Sequence, residues 1–165
     1  MKNYAEFYNQ ITSGIQNKPT AIRYLQVINS LLTKLMYLVY PLMLIYLFDT
    51  QPNRVMTFIL IPAISFVLVS CVRKRLNAPR PYEIWDITPL ILKNTKGQSM
   101  PSRHVFSATI ISMAILRLNL TWGIFFLILS LIIAICRVLG GVHYPRDVIA
   151  GFLLGIACGL LLFLV

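Results

Sequence analysis

The sequence predicts an all-α integral membrane protein, a helical bundle of about five transmembrane helices preceded by an N-terminal amphipathic helix. Three observations predict it. Hydrophobic residues make up 58% of the chain and charged residues only 12%. Mean hydropathy is +0.75, far from the balance of a water-soluble domain. The apolar residues fall into five runs separated by polar segments, and the 165-residue length suits one domain over 1–165 with no separate soluble part.

At the N-terminus Tyr4, Phe7, Tyr8, Ile11 and Ile15 recur at three- and four-residue spacing, with Lys2, Glu6, Asn9 and Gln10 between them. That pattern suits a helix lying in the membrane interface, assigned here to residues 1–20. The same stretch lacks the apolar core of a signal peptide. The first span runs from Val27 to Phe48 and carries Pro41 and Lys34, the latter placed to snorkel to the interface. Val55 to Val72 is an 18-residue apolar run, which at about 1.5 Å per residue covers roughly 27 Å of hydrocarbon.

Residues 73–103 form a long polar connection whose one hydrophobic patch, Pro89 to Leu92, is expected to rest on the bilayer surface. Connections of this length are often functional. Val105 to Leu118 makes a short third span closed by Arg117 and Asn119, and Trp122 to Leu139 a fourth that opens on an interfacial Trp. Val148 to Val165 is the fifth, with Gly151, Gly155 and Gly159 at the four-residue spacing that lets helices pack closely. Cys71, Cys136 and Cys158 are odd in number and lie in or beside apolar runs, so no disulfide framework is expected.

Fifteen Lys and Arg face five Asp and Glu, a net charge of +10, which points to anionic lipid head groups or phosphates. Nucleic acid is not expected, because the basic residues are interleaved with apolar spans rather than gathered on a soluble patch. The carboxylates are Glu6, Asp49, Glu83, Asp86 and Asp147, and the histidines His104 and His143. That supply is too thin for a two-metal hydrolase, so neither metal nor cofactor is expected.

Span parity locates the chemistry. The second span ends at Arg73 and the third begins near His104; the chain crosses, returns, and ends its fourth span at Arg137, just before His143 and Asp147. Arg73, Arg80, His104, Arg137 and His143 are therefore expected on one membrane face. Three guanidinium forks from separate segments suit a phosphoryl group and its transition state. Of two histidines, one can attack phosphorus while the other protonates the departing oxygen. Asp147, four residues after His143, is placed to hold the imidazole in its reactive tautomer. Ser102 precedes a span, where it can cap the helix and offer phosphate the free N–H groups of its first turn.

The three segments read Arg73-x6-Arg80-Pro81, Pro101-Ser102-Arg103-His104 and Cys136-Arg137-x5-His143-x3-Asp147. In order, spacing and placement they resemble the motifs K-x6-R-P, P-S-G-H and S-R-x5-H-x3-D of the type 2 phosphatidic acid phosphatase (PAP2) family. That family also takes in glucose-6-phosphatase and the vanadium haloperoxidases. The resemblance implies that His143 is the nucleophile of a phosphohistidine intermediate, that Asp147 orients it and that His104 protonates the leaving group. It likewise implies phosphate binding by Arg73, Arg80, Ser102 and Arg137.

Three positions depart from the pattern. Arg73 stands for Lys, Arg103 for Gly and Cys136 for Ser. None removes a catalytic group, and Arg103, beside the expected acid, is a candidate to engage a second phosphate. The expected substrate is a membrane phospholipid or polyprenyl phosphate held in the bilayer: phosphatidate, phosphatidylglycerophosphate or a polyprenyl diphosphate. The alternative is a non-catalytic phospholipid-binding or transport membrane protein. A transporter would need polar groups near the bilayer midplane, where only Lys34 is a candidate, and a scaffold could lose either histidine. Nothing in the sequence specifies an oligomeric state. Basic residues divide thirteen to two in favour of the motif face, or nine to two without Arg73, Arg80, Arg103 and Arg137. The charge rule thus makes that face cytoplasmic, whereas the family precedent makes it the outer one.

Overall fold

The computed structural model describes residues 3–164, and Met1, Lys2 and Val165 lie outside the described residues. All regular elements among the described residues are helices, in the order α1 (Tyr4–Thr12), α2 (Pro19–Thr50), α3 (Pro52–Leu76), α4 (Pro81–Ile84), α5 (Arg103–Leu118), α6 (Leu120–Leu139) and α7 (Pro145–Leu160), with a closing 3-10 turn Leu161–Phe163. Proline opens α2, α3, α4 and α7, at the helix position where a missing N–H costs nothing. Pro19 starts α2 about two turns before Val27, where the apolar run of the first span begins. Asn77 ends α3 in the left-handed region, with φ 38°, a conformation Asn tolerates. Asn119 stops α5 with extended backbone and caps α6 by accepting the Trp122 N–H at 3.0 Å.

Four helical stretches among the described residues are long and apolar enough to cross a membrane: α2, α3 running on into α4, α6, and α7 together with the closing 3-10 turn. The protein is a multi-pass membrane protein. The expected third span, α5, has only 16 residues, about 24 Å at about 1.5 Å per residue. Its position explains its composition: α2, α3, α6 and α7 all pack against it. Ala108, Thr109, Ser112 and Ala114 are buried there, small side chains that let the surrounding helices approach. Gly151, Gly155 and Gly159 do the same from α7, since a Cβ at those positions would run into Ser102, Thr109 and Met113 of the α5 side. Leu31, Leu38, Ile45, Leu60, Ile64 and Val67 stand exposed on the outside of α2 and α3, as lipid-facing residues do. Lys34 is also exposed, in keeping with snorkelling.

Two expectations about the interface need correction. The patch Pro89 to Leu92 does not lie wholly out on the bilayer: Leu92 is exposed, but Leu90 is buried with Leu25 and Cys136. Its backbone is held there, Leu90 O accepting from Gln26 Nε2 at 2.7 Å and Ile91 N–H donating to Gly140 O at 3.1 Å. Amphipathic α1 forms, but its apolar face meets protein rather than lipid. Tyr4 and Tyr8 are fully buried against Trp85, Ile87 and Tyr144. An aromatic face finds more close contacts on a packed surface than among mobile chains.

Candidate phosphate site at one end of the bundle

The three motif segments meet at one end of the bundle. Arg73 lies in the last turn of α3, Arg80 just before α4, Ser102 just before α5, Arg137 in the last turn of α6, and Asp147 in the first turn of α7. His143 sits on the short turn between α6 and α7. Direct hydrogen bonds tie them together. Arg73 Nη1 donates to Pro101 O at 3.1 Å. Arg80 donates through Nε to Gly97 O and through Nη1 to Val142 O, both at 3.1 Å. Ser102 N–H donates to Asp147 O at 2.8 Å.

Arg73, Arg80 and Arg137 are 7%, 2% and 5% exposed. Asp147 is the only buried carboxylate among the described residues. Three buried cations against one anion leave two positive charges uncompensated, an arrangement that is costly unless an anion completes it. Burial lowers the Arg80 guanidinium below its usual range, opposed by Tyr82, Glu83 and Asp147. Glu83 fixes the backbone there, its Oε1 accepting the Arg80 N–H at 2.9 Å and the Gly97 N–H at 2.7 Å.

His143 is completely buried, with Nδ1 3.8 Å from Asp147 Oδ2. That is ion-pair distance, longer than a hydrogen bond. Burial brings its imidazolium down to about 4; Asp147 opposes this shift, and Arg80 and Arg137 reinforce it. At neutral pH the ring is uncharged. With the proton on Nδ1, facing Asp147, Nε2 keeps a free lone pair, and Nε2 has no hydrogen-bond partner among the described residues. Ser102 Oγ and Arg137 Nε are likewise buried and without partners there. Ser102 stands at the N-cap of α5, yet its hydroxyl caps nothing, so the capping expected of it is not made.

His104 opens α5 and is half-buried. It lines a small cavity with Tyr37, Ser107 and Ile111. Those three also line an apolar groove of about 500 Å³ between α2 and α3, together with Tyr40, Pro62 and Phe66. Arg103 stands apart from the buried arginines. It is exposed, with its guanidinium carbon 5.5 Å from the centre of the Phe66 ring.

Two residues of this site escaped the sequence reading. Ser99 is completely buried. Its hydroxyl donates to Asp147 Oδ2 at 2.5 Å and lies 3.4 Å from His143 Nδ1. Lys93 sits in the polar connection, where burial, then Arg80 and Arg137, bring its ammonium down to about 8. A serine two residues before Pro101 and a lysine in a basic loop carry no spacing signal that sets them apart from solvated neighbours.

The arrangement resembles known proteins. In sequence the chain is 29% identical over 131 residues to the bacitracin transport permease protein BcrC of Bacillus licheniformis. The match covers 77% of this chain and 64% of that protein, so the chain spans less than two thirds of that relative's length. In structure it is similar to LpxE of Aquifex aeolicus, with a TM-score of 0.78 and 26% identity, over 100% of this chain and 96% of that one. The fold is shared with a transmembrane PAP2 type phosphatidylglycerolphosphate phosphatase of Bacillus subtilis, with a TM-score of 0.76 and 18% identity, over 97% of this chain and 83% of that one. The family model described as PAP2 superfamily matches residues 54–165, which hold all three motif segments. The chain belongs to the PAP2 superfamily.

Proposed function

We propose that this protein hydrolyses a lipid phosphate monoester or lipid diphosphate at the membrane surface, through a phosphohistidine and without a metal. The observation that carries the reading is the buried charge imbalance beside an uncharged histidine. Arg73, Arg80 and Arg137 outnumber Asp147 around His143, and a phosphate dianion supplies the two missing charges.

In the first step the Nε2 lone pair of His143 attacks phosphorus. The bond from phosphorus to the lipid oxygen breaks as His104 gives that oxygen a proton. The three guanidinium groups and the Ser102 hydroxyl hold the equatorial oxygens, where charge spreads in the transition state. Asp147 stabilises the positive imidazole ring that results. In the second step His104 takes a proton from water, the water oxygen attacks phosphorus, and the bond from phosphorus to nitrogen breaks. Inorganic phosphate leaves and neutral His143 is restored.

The groove between α2 and α3 supports a lipid substrate, because it is apolar and shares Tyr37, Ser107 and Ile111 with the small cavity that His104 lines. Arg103 stands next to that acid and near the groove residue Phe66, placed to meet the second phosphate of a diphosphate. The test is phosphate release by purified protein in detergent from phosphatidate, phosphatidylglycerophosphate and a polyprenyl diphosphate, with and without chelator. Release that survives chelator and is inhibited by vanadate supports the reading. Binding of these lipids without release supports the non-catalytic alternative. Arg103→Gly lowers turnover of the diphosphate more than of a monophosphate; equal effects on both remove the role given to Arg103.

A further inference from the structure

The N-terminal helix is not needed for any step above, yet its most buried side chains lie against the turn that carries His143. Tyr8 is completely buried, and its hydroxyl donates to Leu139 O at 3.1 Å, with Thr88 O at 3.4 Å. Leu139 is the last residue of α6, and its carbonyl is among those a helix end leaves without an internal partner. Beyond it the chain turns through Gly141, whose φ is 71°. A Cβ there would stand 2.8 Å from the Tyr8 hydroxyl and 3.1 Å from the Pro89 backbone, so α1 and the 89–92 segment close on the turn from outside. The Tyr4 ring meets the Tyr144 ring edge-on, with centres 4.7 Å apart, and also faces Trp85 at 6.3 Å. Tyr144 directly follows His143. The turn is thus gripped at both ends by one helix, Leu139 by Tyr8 and Tyr144 by Tyr4.

We propose that α1 is a positioning element of the catalytic site, in which Tyr8 and Tyr4 hold the glycine turn that presents His143 to phosphorus. The proposal rests on the reading of His143 as nucleophile. A nucleophile on a two-glycine turn depends on such outside contacts for its position, and a displacement of about 1 Å can cost on the order of a hundredfold in rate. Ile91 N–H on Gly140 O and Arg80 on Val142 O also hold this turn, so removing only the Tyr8 hydroxyl takes away one anchor among several and is expected to cost on the order of tenfold.

The experiment pairs turnover with amide hydrogen exchange, which needs no substrate. In Tyr8→Phe, kcat falls on the order of tenfold with KM little changed, and exchange rises in the 139–144 peptide but not in the bundle. Tyr4→Leu acts likewise, and Tyr4→Phe, which keeps the ring, restores most of the loss. Gln10→Ala, on the exposed face of α1, leaves both readouts as in the parent. Normal exchange in the 139–144 peptide of Tyr8→Phe overturns the proposal, as does faster exchange there with undiminished kcat. Exchange that rises throughout the bundle makes α1 a general stabiliser and also overturns it. If the parent protein releases no phosphate from any lipid, the catalytic reading has failed, while the exchange data still report whether α1 holds the turn. For a variant that does not fold, the other tyrosine supplies the same comparison.

Discussion

Asp147→Asn isolates charge from shape at the proposed nucleophile. Asp147 Oδ2 accepts two hydrogen bonds, from Ser99 Oγ and from the Tyr144 N–H at 3.1 Å, while Oδ1 has no hydrogen-bond partner among the described residues. An asparagine with its amide oxygen in the Oδ2 position keeps both bonds, and its NH2 group takes the unpartnered place. The fold therefore keeps both hydrogen bonds and loses only the 3.8 Å ion pair of Oδ1 with the exposed Arg146, so the main change falls on the positive ring formed when His143 is phosphorylated. Across the observed 3.8 Å, a unit charge pair at an effective dielectric of about 20 is worth about 4 kcal/mol. That is a ceiling of about a thousandfold in rate. A floor comes from the loss of one charge-assisted contact, about 1.5 kcal/mol or roughly tenfold. The expected result is a kcat lowered between about tenfold and a thousandfold, with KM and the thermal midpoint little changed. Phosphate release from a short-chain lipid phosphate, beside a melting curve in the same detergent, measures all three. A kcat within about threefold of the parent, less than the roughly tenfold floor, refutes the role given to Asp147. So does a loss of rate matched by a loss of folded protein.

Ser99→Ala removes a hydrogen bond to that same carboxylate and is expected to lower kcat roughly tenfold, on the order of 1.5 kcal/mol; an unchanged kcat makes Ser99 a bystander. The acid limb of kcat/KM reports the free protein, and with His143 brought down to about 4 its nucleophilic form persists well below the ordinary histidine value. Loss of activity centred near 6.5, and traced to His143 by its absence from a chemical-shift titration near 4, contradicts that burial. The same shift sets a stability trend. The folded-state value lies below the unfolded one of 6.5, so the neutral ring's contribution is present above 6.5 and is lost as pH falls toward about 4. For topology, Lys96→Cys and Asn53→Cys in a cysteine-free background are expected to label oppositely with an impermeant thiol reagent on intact cells. Labelling of Lys96 places the site on the outer face, labelling of Asn53 places it in the cytoplasm, and equal labelling of both from outside ends the single-face argument.

What the sequence revealed and what it hid divide along physical lines. Charges and prolines at the ends of apolar runs are local signals, and parity converts them into a shared face, so Arg73, Arg80, Ser102, Arg137, His143 and Asp147 could be gathered without a structure. The structure brings their segments into direct contact. Adjacency to His104 singles out Arg103 in the sequence, and the structure sets it on Phe66, apart from the buried arginines. Amphipathicity identified α1 as a helix with one apolar face; periodicity does not say whether protein or lipid covers that face. Pro89 to Leu92 misled in the same way, since hydrophobicity without its backbone partners cannot separate a bilayer contact from a buried loop. Ser99 stayed hidden because a hydroxyl becomes informative only when its acceptor is known. α5 read as an ordinary short span, and only its place inside the ring of other helices accounts for its small buried residues.

The central claim is that His143 takes the phosphoryl group. The direct measurement is to mix protein with a lipid phosphate labelled at phosphorus, quench within a turnover, and count label on the chain after acid or alkaline treatment. The account predicts label that survives alkali and is lost in acid, as a phosphohistidine is. It predicts that the label persists in His104→Ala with a good leaving group and is absent from His143→Ala. Label on His143→Ala equal to that of the parent, or normal turnover by that variant, contradicts it.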